Sequence, residues 1–461
     1  MGLTTSVKGW MPWVGKGSLA ILDQGLFASS NFLLNVLLAR WLAPADYGAF
    51  ALAYSVFLLL GVFHSALLTG PMLVFGPGKY RERFPEYLGI LLRGHVALML
   101  PGAALLAVAA FLLGWLYSPA VGRPFLSLAV AAPFILLLWL LRRAFYVRLN
   151  PGWAAAGGGV YLLILLAGAL TLRAAGHLTP ATGFLTMAAA SLTTCLFLLV
   201  PLRPMWATDL SAIREVAADH WRFGKWVAAG AGPSWVTESI YYLVLPGWVG
   251  LAEAGALKAL LNLAQPATQS ISSLVLLLLP MLVRDRDRGG PRAMKRTIKL
   301  TLALFLSGSA CYLALLWGFR FQIFHLLYGG KYAAFTSLPL LLLGLLPLVQ
   351  SVPNVLGNGL GALERPDLGF LSCVGGSVVA VAVGVPLVYR LGVVGALVGL
   401  VASNVVMGGL SLLFLERSMH RDECLDSKAK SKNKSIGSHE TTASIDGPEA
   451  TPLASGAPPC A

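Results

Sequence analysis

The residues most able to do chemistry are polar side chains inside long apolar stretches, because a charge in hydrocarbon is costly unless it faces a cavity or a partner. Glu238 lies in the middle of the stretch 226–248, and Asp23 lies near the start of the first stretch. Either carboxylate could carry a proton or a cation, and His64 could relay protons. The structural interpretations are that Glu238 stays protonated or bonded to a neighbouring helix, that Asp23 caps its helix, and that His64 is simply hydrogen-bonded. The ion-coupling candidates are Asp23, His64 and Glu238.

A second set of polar residues is spaced so that its members could line one cavity. Asn31 and Asn35 are one helical turn apart. Gln265 and Gln269 are also one turn apart, on either side of Pro266. Amides at such positions can bind hydroxyl groups, or they can bond backbone groups that the proline frees. The substrate-binding candidates are Asn31, Asn35, Arg93, Glu238, Lys258, Gln265 and Gln269.

The two basic members of this set suit an anion. Arg93 lies early in the third apolar stretch, and its guanidinium could grip a phosphate in bidentate fashion. Equally, an arginine near a helix end can extend to the lipid headgroups. Lys258 lies a few residues into the eighth stretch, where it could guide an anionic ligand or pair with Glu253.

No enzyme motif is present in the sequence. The segment from Gly9 to Lys16 has five residues between its glycines where a phosphate-binding loop has four, and Gly17 occupies the Ser/Thr position. There is no GxSxG or HExxH motif. We therefore expect no enzymatic activity and no ATP hydrolysis, so any transport by this chain would have to use a substrate gradient, a coupled ion or the membrane potential.

The cysteines and the positive charge do not indicate a cofactor or a nucleic-acid partner. The five cysteines form no CxxC pair and have no histidine at metal-ligand spacing. The formal net charge is +14, but the basic residues occur in short clusters between apolar stretches, not in one patch interleaved with aromatics. We therefore expect no metal, no other cofactor, no disulfide framework and no nucleic acid.

The composition places these side chains in a polytopic membrane protein. Of 461 residues, 12% are charged and 57% hydrophobic, and the mean hydropathy is +0.74. A soluble fold lacks the polar surface to cover so much apolar area. Since about 20 apolar residues cross the hydrocarbon core as a helix, the sequence predicts an all-α fold with about twelve transmembrane helices. They cover approximately 19–39, 47–69, 88–116, 124–147, 153–174, 180–201, 226–248, 254–283, 298–318, 335–356, 367–389 and 393–415.

The distribution of basic residues predicts the orientation. With the N-terminus inside, 27 of the 34 Lys and Arg residues fall on the inner side. Both termini are therefore expected in the cytoplasm. Residues 202–225 form the longest internal connection, in which Asp209 could cap an amphipathic helix along the membrane surface. The predicted organisation is a cytoplasmic N-terminus 1–18, an N-lobe 19–201, this linker 202–225, a C-lobe 226–415 and a disordered cytoplasmic tail 416–461.

The two halves resemble each other in sequence. WLAPADYGA at 41–49 corresponds to WVGLAEAGA at 248–256, with an offset of 207, and this offset also relates Asn31 to Glu238. Further along, Asn150-Pro151-Gly152 corresponds to Arg365-Pro366-Asp367, with an offset of 215. Because each half has six helices, both enter the membrane in the same direction, and the repeat is parallel. Two such six-helix lobes enclose a cavity that can open to either side.

The residues also resemble a known family. NVLLARWLAPADYG at 35–48, YGGKYA at 328–333, GALERP at 361–366 and GVVGA at 392–396 are similar to segments of bacterial oligosaccharide flippases. These flippases, which assemble lipopolysaccharide and exopolysaccharide, belong to the multidrug/oligosaccharidyl-lipid/polysaccharide exporter superfamily. The resemblance covers about residues 15–415 and lies mainly in turns and helix starts.

The resemblance implies a flippase that moves an undecaprenyl-diphosphate-linked oligosaccharide across the bacterial inner membrane by alternating access, for surface polysaccharide biosynthesis. The implied partners are the lipid-linked oligosaccharide and membrane lipids, with a polysaccharide polymerase and glycosyltransferases as further candidates. The alternatives are a cation-coupled multidrug antiporter of the same superfamily, a flippase for the peptidoglycan precursor, and a scaffold that organises glycosyltransferases without transport.

Overall fold

A computed structural model of the protein describes residues 4–206 and 209–440, and within these ranges the chain is almost entirely helical, with no β-strand. The helices are α1 Thr4–Trp41, α2 Pro44–His64, α3 Gly70–Phe75, α4 Phe84–Leu116, α5 Pro119–Val147, α6 Pro151–Ala174, α7 Pro180–Leu202, α8 Leu210–Trp248, α9 Leu251–Gly318, α10 Arg320–Tyr328, α11 Leu338–Ala362, α12 Pro366–Val379, α13 Val385–Leu391 and α14 Val393–Glu440. Single π-helical turns join α2 to α3 at Ser65–Thr69 and α12 to α13 at Ala380–Gly384.

Eleven of the twelve predicted spans fall within these helices and the two π-helical turns, and the span 335–356 begins three residues before α11. Ten helical segments in the described residues are long and apolar enough to cross a membrane, counting α2–α3 and α12–α13 as one each. With 68 residues, α9 is far longer than one crossing needs, and Gly290 interrupts it with φ = 65°. It therefore contains the two spans predicted at 254–283 and 298–318. The span predicted at 226–248 lies in α8, which is not among the ten segments. The predicted all-α polytopic membrane fold is confirmed.

Proline sets where several helices begin. Pro44, Pro119, Pro151, Pro180 and Pro366 each occupy the first helical position. A proline there removes no hydrogen bond, because the first N–H groups of a helix have no partner within it. The Asn-Pro and Arg-Pro pairs that mark the sequence repeat open α6 and α12, the equivalent helices of the two halves.

The two halves meet in a reciprocal contact that reflects the repeat. A Cβ atom on Gly48 of α2 would overlap the carbonyl oxygen of Leu251, and a Cβ atom on Gly255 of α9 would overlap the carbonyl oxygen of Pro44. Both Pro44 to Leu251 and Gly48 to Gly255 are separated by 207 residues. Residues that exchange partners in this way lie about a two-fold axis. The helices α1–α7 therefore form an N-lobe and α8–α14 a C-lobe, related by the predicted parallel repeat.

The connection between the lobes differs in one respect from the prediction. The cap at Asp209 is confirmed, because its carboxylate accepts a hydrogen bond from the Ser211 N–H at 2.9 Å. The amphipathic segment is not a separate helix, however, and it continues without a break into the predicted span 226–248. No proline interrupts the chain between Asp209 and Pro233, so nothing in the sequence ends the helix.

The predicted tail begins within the last helix. The helix α14 continues through the predicted end of the twelfth span to Glu440. Residues 441–461, which make up the rest of the predicted tail, lie outside the described residues.

Candidate functional site

One face of α9 traces the boundary between the lobes. Its positions at helical spacing are Leu251, Gly255, Lys258, Asn262, Gln265 and Gln269. Gly255 touches the backbone of the N-lobe, Lys258 and Asn262 are buried, and Gln265 and Gln269 are exposed. Exposure along this face therefore increases from the buried positions towards the basic segment 284–299 of the same helix.

On two other helices, side-chain exposure also increases towards the basic side. On α1, Asn35 is buried and Asn31 is half-buried, towards the end of the helix that follows the basic N-terminal segment. On α8, Tyr242 is buried whereas Glu238, one turn closer to the basic end, is exposed. Exposure thus increases on all three helices towards the basic side, and we call the exposed region the hollow and the buried region at its opposite end the closed end. Of the predicted cavity residues, Glu238, Gln265 and Gln269 are exposed, Asn31 is half-buried and Lys258 is buried.

Three buried residues form the floor of the hollow. The Tyr47 hydroxyl donates to Asn35 Oδ1 at 3.3 Å and accepts from Asn262 Nδ2 at 2.8 Å, which ties α1 and α2 of the N-lobe to α9 of the C-lobe. Of these, the sequence analysis identified only Asn35. Asn262 could have been found, since it lies on the same helical face as Lys258 and Gln265. Tyr47 gave no such signal, because a tyrosine near a helix start is ordinary.

Lys258 is a buried cation without a carboxylate. Its side chain contacts the N-lobe instead, with Nζ 4.4 Å from the ring centroid of Tyr54 on α2. Among the residues that the structure describes, none forms an ion pair with it. The suggested pairing with Glu253 is wrong, because the Glu253 carboxylate lies beside Gly392 of the C-lobe.

Asp23 is held inside the N-lobe. Arg142 donates to Asp23 Oδ1 from Nη2 at 2.7 Å and from Nε at 3.1 Å, and the Tyr146 hydroxyl donates to Oδ2 at 2.5 Å. The interpretation of Asp23 as a helix cap is wrong, since α1 begins at Thr4 and the side chain is fully buried. Arg142, which is itself buried, is the partner of this carboxylate. A paired, buried Asp23 is less available to a mobile cation than an exposed Glu238.

His64 is paired with another histidine. Its Nε2 lies 3.0 Å from Nδ1 of His95 on α4, and both side chains are buried. The side chain of His64 therefore faces the interior of the N-lobe and has no exposed surface in the hollow. Within the described residues, no group of three or more His, Cys, Asp or Glu side chains is arranged to hold a metal ion.

Arg93 lies apart from the other candidates, near the basic end of α4. Its guanidinium carbon is 5.6 Å from the ring centroid of Trp206, which follows α7 and is 67% exposed. The contact links Arg93 to the segment that leads to α8. The structure therefore does not bring Arg93 together with Lys258.

An apolar groove adjoins the hollow. It has a volume of about 760 Å³ and lies between α1, α9 and α10. Phe32 and Pro266, both in its lining, are the immediate neighbours of the hollow residues Asn31 and Gln265. The remaining lining residues include Leu263, Tyr312, Leu316, Phe319, Ile323 and Leu327. The groove therefore includes residues that are next in sequence to two of the predicted cavity residues.

At the basic end, a network of charged and polar side chains joins the first turns of α8 to the N-lobe. Asp219 accepts from Lys79 Nζ and from the Tyr80 hydroxyl, both at 2.6 Å. Burial acts to raise the pKa of Asp219, but the hydrogen bonds from Lys79 and Tyr80 outweigh it, so the pKa is lowered. His220 contacts the Leu67 carbonyl through Nδ1 at 2.8 Å and the Tyr87 hydroxyl through Nε2 at 2.6 Å. The sequence analysis did not anticipate these contacts.

The fold is that of known membrane transporters. No protein-family model matches the chain, and no curated protein is significantly similar to it. Among solved structures, an inward-facing multidrug resistance MATE family transporter of the MOP superfamily superposes with a TM-score of 0.73 at 12% identity, covering 87% of this chain and 98% of that one. The lipid II flippase MurJ in an inward closed conformation gives 0.68 at 12% identity, covering 88% and 89%.

An outward-facing multidrug resistance MATE family transporter gives a TM-score of 0.60 at 12% identity, covering 89% of this chain and 96% of that one. At such identity the similarity establishes the fold alone: the chain has the two-lobed, multi-pass membrane fold of MOP superfamily transporters.

Proposed function

We propose that the protein is a flippase that translocates an undecaprenyl-diphosphate-linked oligosaccharide across the bacterial inner membrane, for surface polysaccharide biosynthesis. The observation that carries this proposal is the apolar groove beside the polar hollow. An amphiphile could place its sugars and phosphates in the hollow and its lipid chain in the groove and the bilayer. The sequence resemblance to oligosaccharide flippases favours the same cargo.

The polar lining supports the handling of sugars and phosphates. Gln265 and Gln269 present exposed amides that can bond sugar hydroxyls, and the half-buried Asn31 lies across from them on α1. Lys258 supplies a positive charge at the closed end of the hollow. With a negative interior, export of a headgroup with two negative charges gains about 4–5 kcal/mol per 100 mV, so the membrane potential can contribute to the driving force.

The proposal includes the orientation and the partners. Both termini would lie in the cytoplasm, so the hollow would open towards the leaflet on which lipid-linked sugars are assembled. Glycosyltransferases would supply the cargo, and a polysaccharide polymerase would consume it. Thiol labelling of single cysteines at Gly78 and Val249 tests the orientation, because the first should react only from the inner side and the second only from the outer.

Deletion of the gene tests the cargo. The lipid-linked intermediate should accumulate on the cytoplasmic leaflet, and surface polysaccharide should be lost. When expressed in the deletion strain, a Gln265→Leu/Gln269→Leu variant should leave both defects in place. The control Gly247→Ala, which adds a methyl group where no atom lies within 4 Å, should clear the intermediate and restore the polysaccharide. Unchanged polysaccharide and intermediate levels in the deletion strain would refute the proposal.

One observation favours a cation-coupled multidrug antiporter as a second candidate. Glu238 is a carboxylate exposed in the hollow, where it could bind a proton, a sodium ion or a cationic drug. Under this alternative, the deletion strain becomes drug-sensitive while its surface polysaccharide stays normal. An essential gene would instead indicate the peptidoglycan precursor as the cargo.

A further inference from the structure

The contact between Lys258 and Tyr54 crosses the boundary between the lobes at the closed end of the hollow. Lys258 lies one turn beyond Gly255, and the Tyr54 ring is supported from both sides along α2 by Phe50 and Phe57, at centroid distances of 5.7 and 5.6 Å. The ammonium group therefore rests on a ring that is held in position by its neighbours. Any movement that parts α2 from α9 at this level must break the contact.

The ring compensates the charge of Lys258 only in part. The side chain is 8% exposed, and the described residues offer it no carboxylate. An aromatic face attracts a cation through its quadrupole, but an anion does so far more strongly at low dielectric. An anion that enters the hollow would therefore stabilise the Lys258 ammonium more strongly than the ring does.

We propose that the Lys258–Tyr54 contact is a lock between the lobes that a diphosphate-bearing ligand releases. Phosphate oxygens replace the ring as the partner of the ammonium, and α2 and α9 can then part at the closed end. This inference rests on the proposed function, since it identifies the diphosphate of the cargo as the group that triggers the change of state. It assigns Tyr54 a role as a positioning residue, which holds Lys258 until the ligand arrives.

The direction of the effect follows from linkage. A ligand shifts a conformational equilibrium only through its different affinities for the two states. In the closed state, the phosphate competes with the ring for Lys258, whereas in the parted state it has no competitor. The diphosphate therefore binds the parted state better, and binding drives the closed end open.

Distance measurements across the closed end test the lock. Spin labels at Ala43 and Val249, both exposed and on opposite lobes, report its separation in full-length protein in lipid nanodiscs, with the five native cysteines replaced. The probes are inorganic pyrophosphate, farnesyl diphosphate and, as the uncharged control, farnesol. Both diphosphates should lengthen the distance, and farnesol should not. A response to farnesol as large as that to farnesyl diphosphate would overturn the proposal.

The variants separate a lock from a merely structural contact. Tyr54→Leu should lengthen the distance without ligand and tighten pyrophosphate binding about tenfold, since a desolvated cation–π contact no longer competes. Tyr54→Phe keeps the ring and should behave as the unaltered protein, and Lys258→Met should abolish the response. Weaker pyrophosphate binding by Tyr54→Leu, or a full response from Lys258→Met, would contradict the lock.

The lock and the proposed cargo can fail independently. If the variants behave as expected in nanodiscs but the deletion strain shows no accumulated intermediate, the lock stands and the cargo is wrong. If the strain accumulates the intermediate but Tyr54→Leu leaves pyrophosphate affinity unchanged, the cargo stands and the lock is wrong.

Discussion

The two ends of the molecule hold the lobes together by different means. At the closed end, Gly48 and Gly255 bring the backbones of α2 and α9 into direct contact. At the basic end, Asp219 and His220 of α8 connect to the N-lobe through side-chain hydrogen bonds and ion pairs. Backbone contact tolerates almost no added volume, whereas ion pairs and hydrogen bonds to charged groups depend on salt and on pH. The closed end therefore depends on shape, and the basic end depends on charge.

Two cations add a smaller contribution to the closed end. Arg40, at the end of α1, donates to the Leu326 carbonyl of α10, and Lys331 donates to the Leu42 carbonyl just beyond α1 at 2.7 Å. Each lobe thus places a positive charge at the carboxyl end of a helix of the other lobe, where the helix dipole favours it. These side chains are exposed, so we expect them to stabilise the closed end less than the glycine contact does.

The largest effect is expected from filling the glycine contact. Gly48→Val should destabilise the closed end by about 3 kcal/mol, near the upper range of overpacking costs, because the obstacle is a backbone carbonyl. That corresponds to a shift of about a hundredfold in the conformational equilibrium. Spin labels at Ala43 and Val249 should report a longer distance. Gly247→Ala, on α8 near the same end, should leave the distance unchanged, and a closed Gly48→Val protein would refute dependence on shape.

The next effect concerns the ion network of the basic end. Asp219→Asn weakens the bonds to Lys79 and Tyr80 at a largely buried position, and should cost about 1.5–3 kcal/mol, the usual range for hydrogen bonds to a charged group. Glu215→Gln, at a side chain that is 41% exposed, should matter less. Labels at Gly78 and Arg214 measure the separation of α8 from the N-lobe. Equal effects of the two variants would contradict the role of burial.

A smaller effect is expected from pH at His220, which precedes the span 226–248. Burial lowers the pKa of His220 from 6.5, partly opposed by the Leu67 carbonyl and by Asp219. Because the contacts of His220 with the N-lobe lower this pKa, they have their full stability above about pH 6.5 and lose it as the pH falls. The groups facing His220 are Tyr87, Phe75 and the neighbouring Asp219.

The measurement is the Gly78–Arg214 distance between pH 7.5 and pH 5. It should lengthen in acid in the unaltered protein. His220→Asn, whose amide can donate to the Leu67 carbonyl but does not titrate, should show a much weaker dependence. An identical pH profile for both proteins would assign the effect to other groups.

The smallest effect is expected at the two cations of the closed end. Arg40→Gln should weaken closure by about 0.3–1 kcal/mol, and the loss should shrink in high salt. Lys331→Gln should cost less still, because burial and the nearby charge of Arg173 lower the pKa of Lys331 and offset part of its contribution. A cost at Arg40 comparable to that of Gly48→Val would contradict the ranking of shape above charge.

The sequence analysis was most reliable where a pattern is local. The twelve spans follow from apolar length, and the offset of 207 identified Gly48 and Gly255 as equivalent before their contact was known. The prediction of a separate linker helix also rested on a local pattern, and it was wrong. A rise in hydrophobicity at residue 226 does not by itself end a helix. The positions of the cavity candidates on α9 followed from helical periodicity.

Pairings between distant helices were not predictable. Asp23 meets Arg142 across 119 residues, and His64 meets His95 across 31. Periodicity states which face of a helix a residue occupies, but it does not state which other helix covers that face. For this reason Asp23 looked like a cap, and Tyr54 was not identified at all.

The sequence alone determined that the chain crosses the membrane repeatedly as helices, and that its halves are related, because burying apolar residues in lipid depends on composition and spacing only. The tertiary structure decided which polar groups neutralise one another and which are left facing water. That difference between Asp23, with its arginine, and Lys258, with only an aromatic ring, depends on the packing of helices from two lobes, which no local pattern encodes.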